Sequence, residues 1–401
     1  MRTYRELFTV AGFGALFLVL SASMAASTIA GLALATLVFD RTGSPLLSAV
    51  SMFGPSLAQV LGATVFMSAA DRLPPRPALT SMSVVWCLTA LLVAVPGMPV
   101  PVILAIVVSS GVLGSISGAI SWGLLSEILP PGGYVLGRSV MQMTIGGMQI
   151  AGNAATAIFL QFISPRALLL IAAGLYAGSS AASRLGLPRR PARATGRPSA
   201  GQTWRINRRL WATPGVAAIY LSLWVPNGLI VGAEALFVSY ARTAAGILFT
   251  ADALGMLAGD AIMGRWMPAR WRRRLVTPLR MLHAAPYLLF ALHPAVPAAV
   301  VLVGLASAGF SAGLLLQERL IALTPESVRG HALGLHSSGM LTMQGVAALL
   351  AGTLAGLMPT GQAMAVMAAA SLAVTLALTP ALRRTSDPEG PVQPPIPAGA
   401  G

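Results

Sequence analysis

Apolar positions in this chain come in long unbroken runs, and polar positions gather in short breaks between them. Twelve such runs can be marked, at 13–38, 46–69, 78–96, 101–128, 139–162, 167–185, 214–240, 244–265, 276–292, 295–317, 332–357 and 362–382. Most are about 20 residues or longer, enough for a helix to cross ~30 Å of hydrocarbon. No period-two alternation marks them as barrel strands. In lipid a backbone must satisfy its own hydrogen bonds, so the runs are expected to be helices. The expected fold class is all-α, with twelve membrane helices.

The breaks alternate in charge. "GMP" around Gly97, "HPA" around His293 and "MPTG" around Met358 carry almost none, while the breaks between them hold arginines. All 26 basic residues are arginine. Assigned to alternate sides, 23 fall on the side of both termini, the 265–280 segment included, and only Arg41, Arg166 and Arg242 on the other. Positive charge stays on the cytoplasmic side, so both termini are expected there, in a multi-pass plasma-membrane protein.

Composition agrees. The chain is 56% hydrophobic and 9% charged, with mean hydropathy +0.77, against about 25% charged in soluble proteins. A net charge of +15 would suit a nucleic-acid partner, but the arginines sit in short loops between apolar runs, and no such partner is expected. Arg2 and Arg5 precede the first run without a small-residue cleavage site, so that run reads as a membrane helix rather than a removable signal. Cys87, alone in its run, reads as a small core residue.

The chain repeats itself. "GLALATLVFDRTGSP" from Gly31 aligns with "GAEALFVSYARTAAG" from Gly232 at an offset of 201, and "AQVLG" from Ala58 with "ADALG" from Ala251 at 193. At 193, Arg72 also falls on Arg265, Gly137 on Gly330 and Gly152 on Gly345. The change of offset places a loss of about eight residues in the eighth run. The expected organisation is a six-helix bundle at 1–185, a basic cytoplasmic linker at 186–213 with a surface helix near Trp204 to Trp211, a second bundle at 214–384, and a disordered cytoplasmic tail at 385–401.

Two parallel six-helix repeats joined by a basic linker are the arrangement of major facilitator transporters, and short motifs resemble that superfamily. "AADRLPPR" (Ala69 to Arg76) resembles its signature turn, with Met67 where a glycine stands and Pro75 in place of one basic residue. "GDAIMGRWMPARWRRR" (Gly259 to Arg274) looks like the second-half copy. "GGMQIAGN" (Gly146 to Asn153) resembles a fifth-span motif of drug antiporters, with Asn153 in the place of proline. "QERLIALTPESVRGHALGLHSSGMLTMQG" (Gln317 to Gly345) is similar to drug-efflux-like members of actinobacterial type. The resemblance covers residues 10–384 and implies a secondary transporter working by alternating access, with proton-coupled efflux of amphiphilic small molecules as the expected activity. It also implies that Asp71, Arg72, Arg76 and Glu127, echoed by Arg265 and Glu318, form a cytoplasmic gate. Import of a metabolite, and a non-transporting sensor on the same fold, are the alternatives.

Eleven acids are present, and two lie deep in a run. Glu234 is about 9 Å inside the end of the seventh run and Asp252 about 12 Å into the eighth, at 1.5 Å per residue, so a tight loop between antiparallel neighbours brings them level. A carboxylate at such depth costs about 2.5–3.5 kcal/mol and must face a cavity or a partner. Both are candidates for exchanging a proton or meeting a cationic substrate. A hydrogen bond to a neighbouring Ser or Tyr is the plainer reading. Gln59, Gln149, Asn153, Asn227 and Gln344 are candidate cavity-lining amides, and Trp122, Tyr220 and Trp224 candidate stacking surfaces. A mostly apolar cavity suits hydrophobic or weakly cationic compounds.

No nucleotide-binding motif and no metal-spaced His/Cys cluster occurs. His331 and His336 read as solvated loop residues. No enzymatic activity, cofactor or metal is expected. The expected partners are a small-molecule substrate, protons and the lipid bilayer, with the chain acting as a monomer.

Overall fold

The computed structural model describes residues 4–70, 73–130, 133–191, 200–325 and 328–384, with backbone alone at 61–70, at Arg265 and at some other helical positions. Helices lie on the expected runs, displaced by a few residues. They are α1 (Phe13–Thr42), α2 (Pro45–Ala70), α3 (Pro75–Ala94), α4 (Val100–Ile128), α5 (Tyr134–Phe159) and α6 (Pro165–Gly186). The second set is α7 (Val216–Glu234), α8 (Ala245–Ala261), α9 (Ala269–Ala284), α10 (Val296–Ala308), α11 (Arg329–Ala355) and α12 (Thr360–Arg384). Among the described residues, nine helices are long and apolar enough to cross a membrane. A helix at Ala200–Ala212 lies where the linker was expected to carry one.

Local chemistry explains several boundaries. α2, α3 and α6 start at Pro45, Pro75 and Pro165, where a fixed φ suits the first turn and the missing amide would be unbonded anyway. α1 ends at Gly43, whose φ of 62° lets its amide reach back to the Phe39 carbonyl.

The second half is less regular than the first. α7 breaks after Glu234 and resumes at Phe237–Tyr240. α8 has 17 residues where its counterpart α2 has 26, and it winds on into a π-helix at Ile262–Trp266. α9 tightens into a 3₁₀ segment at Ala285–Leu292, and α10 passes through a 3₁₀ turn at Gly309–Ser311 into Ala312–Leu323. Such departures from α geometry recur at functional sites and hinges.

The two halves pack alike. α1 lies on α5 and α6, α3 on α6, and α2 on α4; α7 lies on α11 and α12, α9 on α12, and α8 on α10. Adding six to each number turns the first set into the second, so the fold is two pseudo-symmetric bundles. They meet through α2 against α11 and α5 against α8.

That junction is uneven along its length. At the arginine-poor end one buried cluster joins Leu32 and Ala35 of α1 to Ile230, Ala233, Phe237 and Leu248. Another joins Ala49 and Phe53 of α2 to Ala235 and Ala348. Toward the termini each half has its own core, Leu7, Phe13, Ile120 and Leu124 in one and Leu210, Tyr220, Leu316 and Leu320 in the other. Among the described residues no buried cluster spans the halves at that end. The structure is closed at its arginine-poor face.

Candidate functional site

Glu234 and Asp252 come together. Glu234 is the last residue of α7 before its break, Asp252 lies in mid-α8, and each is 7% exposed. Their carboxyls lie within interaction range of each other. The Tyr287 hydroxyl donates to Glu234 Oε1 at 3.4 Å, and the Ser307 hydroxyl lies on Asp252 Oδ1. Four helical segments therefore converge on one pair of acids, walled by Phe237, Leu248, Phe249 and Val303. The sequence brought the acids level but did not reveal Tyr287 and Ser307, which lie 53 and 55 residues further along the chain.

The chemistry of this group suits a proton that comes and goes. Two neighbouring carboxyls can share a hydrogen bond only with a proton on one of them. Ser307 Oγ is also 2.8 Å from the Val303 carbonyl, so it has two ways to spend its single proton. It can donate to an ionised Asp252, or donate to Val303 while accepting from a protonated one. Tyr287 is held between Phe237 and Phe290 by ring stacking, and its hydroxyl can donate to an ionised Glu234 or accept from a protonated one.

The other expected residues do not gather at one place. Asp71 and Arg72 lie outside the described residues, as does the side chain of Arg265, whose backbone belongs to the π-helix. Arg76 donates to the Arg184 carbonyl at the end of α6, and Glu127 lies 3.7 Å from Arg190. Both contacts stay within the N-terminal half and its adjoining linker. Glu318 is exposed near the end of the segment following α10. In this structure these contacts of Arg76 and Glu127 lie on one side of the junction.

The expected cavity wall is redrawn. Tyr220 is fully buried in the core of the C-terminal half, donating to the Ala332 carbonyl at 3.1 Å and stacked on Trp224 at 4.9 Å. Trp224 in turn donates to His336 Nδ1 at 3.3 Å. His336 is therefore a buried α11 residue, 6% exposed, and not a loop histidine; it lies inside the apolar run, on a face turned toward Trp224. Trp122 carries the Arg138 guanidinium over its ring at 5.6 Å. Of the amides, Asn227 lines a cleft and reaches the Met340 sulfur at 2.9 Å. Asn153 is buried, Gln59 packs on Gly114, Gln344 is half-buried and Gln149 exposed.

Arg280 is the largest correction. Counted with the arginine-rich loops, it lies instead inside α9, 5% exposed. Its own side chain is buried because the apolar run starts at 276, one turn before it. Removing it from the loop tally leaves the charge asymmetry intact.

A feature invisible in the sequence closes the arginine-poor face. Arg242, beyond α7, forms a two-pronged ion pair with Asp40 near the end of α1, with Nη2 to Oδ2 at 2.6 Å and Nε on Oδ1. The hydrogen bond to Asp40 holds the guanidinium's pKa above its ordinary value. The pair links the halves, yet it is solvent-exposed, and such pairs contribute about 0.2–1 kcal/mol. Arg242→Ala should therefore shift the balance between closed and open faces by no more than about fivefold. The exchanged pair Asp40→Arg with Arg242→Asp should restore it. Distances between spin labels placed on the two halves at this face measure the shift, and no change in the single variant would remove the pair from the closure.

No protein-family model matches the sequence, and no curated protein is similar to it. Solved structures do resemble the fold. A POT family transporter in complex with 5-aminolevulinic acid superposes with TM-score 0.72 at 12% identity, covering 94% of this chain and 97% of its own. A bacterial homolog of the human lysosomal transporter Spinster, inward-facing and unoccupied, gives 0.66 at 14%, covering 96% of each chain. The xylose transporter XylE from E. coli, in its inward open conformation, gives 0.63 at 15%, covering 92% of this chain and 94% of its own. At such identities the likeness concerns the fold, and the fold is that of the major facilitator transporters.

Proposed function

We propose that this chain, built on the major facilitator fold, is a secondary active transporter that works by alternating access and exports amphiphilic small molecules in exchange for protons. The buried Glu234–Asp252 pair carries the reading. It is a proton-binding group inside the apolar core of one bundle, beside the face where the two halves close. Closure at one face with separate cores at the other is one of the two states alternating access requires. The arginine-rich face is taken as cytoplasmic, which makes this the inward-facing state, with both termini in the cytoplasm of a plasma-membrane protein.

In the exchange, a proton entering from the opposite face when that face opens binds the acid pair, and its later release to the cytoplasm frees the pair for another cycle. The gate residues Asp71, Arg72, Arg76, Glu127, Arg265 and Glu318 are assigned to the arginine-rich face, to be brought across it when that face closes. A few such ion pairs bias a two-state equilibrium by a few kcal/mol.

The test is flux in proteoliposomes under an imposed pH gradient, with a panel of amphiphilic compounds. Movement of a compound against its own gradient, driven by protons moving the other way, supports export. Movement with the protons assigns import instead. The absence of flux with every compound, alongside unchanged susceptibility of cells with and without the protein, would leave a sensor on a transporter fold.

A further inference from the structure

We infer that the cleft around Arg280 in the C-terminal bundle binds the oxyanion head group, a carboxylate or phosphate, of the transported molecule. This deepens the transporter reading and rests on it. The observations come from a group that the acid pair does not use. Arg280 projects from α9 into a cleft lined by Ser222 and Asn227 of α7, His283 of α9, Phe310 and Gly313 beyond α10, and Met340 of α11. Its Nε, Nη1 and Nη2 are all buried, and none has a hydrogen-bond partner among the described residues.

That combination is expensive and therefore informative. A guanidinium stays charged in proteins, and ionisable groups inside membrane spans pair with a partner or mark a ligand path. No ion pair joins Arg280 to any described acid. Glu234 and Asp252 are engaged by Tyr287 and Ser307, and Asp260, with its own Oδ1 buried and unpartnered, makes no ion pair with Arg280.

Two neighbouring groups, the Ser222 hydroxyl and the Asn227 amide, can add donors to the fork, and a third, His283, lies beside it. His283 is one turn along α9 on the same face. Its Nδ1 lies 3.1 Å from the Ala306 carbonyl and must donate to it, leaving Nε2 buried with no partner. The Ser222 hydroxyl is likewise unpartnered, and the Asn227 amide rests on a sulfur, a weak acceptor. A planar fork of guanidinium N–H groups with a hydroxyl and an amide beside it matches a carboxylate or phosphate, while its fixed positive charge repels a cation.

The local backbone holds the fork in place. At Gly309 the 3₁₀ turn beyond α10 comes so close to α9 that an added Cβ would stand 2.8 Å from His283 Cα. Pro226, also in the wall, removes the amide that would bond the Ser222 carbonyl. The cleft's volume is about 30 Å3 over positions a water centre can take, which is room for a head group and not for a whole amphiphile. The apolar remainder of the molecule then lies outside it. This departs from the expectation of hydrophobic or weakly cationic substrates. It also sets the two chemistries back to back, because His283 bonds Ala306 and Asp252 bonds the next residue, Ser307.

Equilibrium binding tests this without requiring flux, so its failure and the failure of the transporter reading can be told apart. Purified full-length protein in phosphatidylcholine nanodiscs is titrated with octanoate, octyl phosphate and octyltrimethylammonium, followed by the unfolding temperature. Both anions should stabilise the protein and the cation should not. Arg280→Met, which removes a buried unpaired charge and so should fold, is expected to weaken both anions by about tenfold or more. Arg274→Gln, on the exposed turn of the same helix, should leave them unchanged. Arg280→Lys, which keeps the charge but loses the fork, should fall between. Equal stabilisation by the cation, or anion binding unaffected in both Arg280 variants, would overturn the assignment. Including phosphatidylglycerol separates the two sources of the oxyanion. Competition with octanoate supports the site and assigns it a lipid phosphate, and absence of competition supports a free organic anion.

Discussion

Glu234→Gln is expected to abolish accumulation driven by a pH gradient while leaving exchange of substrate for substrate intact. Glutamine has the shape and hydrogen-bonding reach to keep its contacts with Tyr287 and Asp252, so the four-segment junction should survive. What it cannot do is take up and release a proton. Gradient-driven transport in proteoliposomes should fall by about tenfold or more, because the coupling step depends on a group that titrates. Asp252→Asn should act in the same direction. Its loss should be smaller if Glu234 alone carries the proton, and equal if the pair works as one unit, since groups that share a function are not additive in their effects. Gradient-driven accumulation that persists in Glu234→Gln with its pH dependence unchanged would sink the proton assignment. Loss of substrate exchange as well would point instead to a structural role for the pair.

Gly246→Leu should leave the protein folded but unable to close its arginine-poor face. Gly246 of α8 meets Ala157 of α5 across the two halves, and a Cβ there would lie 2.7 Å from Ala157 Cα and 2.9 Å from its amide nitrogen. Backbone cannot move aside as a side-chain tip can. Overpacking of this kind costs about 1–3 kcal/mol, which on a two-state balance is about a 5- to 150-fold shift. The cost falls only on the state in which α5 and α8 touch. Labels at Thr42 and Thr243, both exposed at that face, should move apart, and turnover should drop to a few per cent of the unmodified protein. Gly255→Val is the control. Gly255 sits against the Gly304 carbonyl, inside one half, so its enlargement should lower thermal stability without preferring either state. If both variants behave alike, the contact at Gly246 is ordinary packing and not a closing surface.

The Gly246 effect far exceeds that expected for the Asp40–Arg242 pair, and the comparison separates two kinds of closure. The ion pair is exposed and lies on flexible side chains, so water competes for it. The α5–α8 contact is backbone against a residue with no side chain, and its geometry is all or nothing. Of these two contacts, only the ion pair should respond to salt.

Much of the fold was legible without coordinates. Hydropathy is a local property, summed over a window of one span, and the twelve runs lie where the helices lie. Charge asymmetry between loops and the repeat at offsets 193 and 201 can be read in the same way, because each compares stretches of chain without asking how they pack. The depth of Glu234 and Asp252 could be read the same way, by counting residues from a span end at a fixed rise.

What the sequence left open depends on rotation about helix axes and on which helices become neighbours. Depth says that Glu234 and Asp252 share a level, but only packing gives them Tyr287 and Ser307 from two other segments. Composition counts Arg280 with the loops, because a charge near the start of a run looks like a loop charge; only the crossing of α9 against the turn at Gly309 buries its guanidinium in a cleft. Asp40 and Arg242 lie 202 residues apart, one at a helix end and the other in a loop, and nothing in the sequence pairs them. Hydrophobicity is additive along the chain and so determines where the helices run. Partnership between polar groups is decided by distances of a few ångströms between segments far apart in sequence, and the tertiary structure alone supplies those.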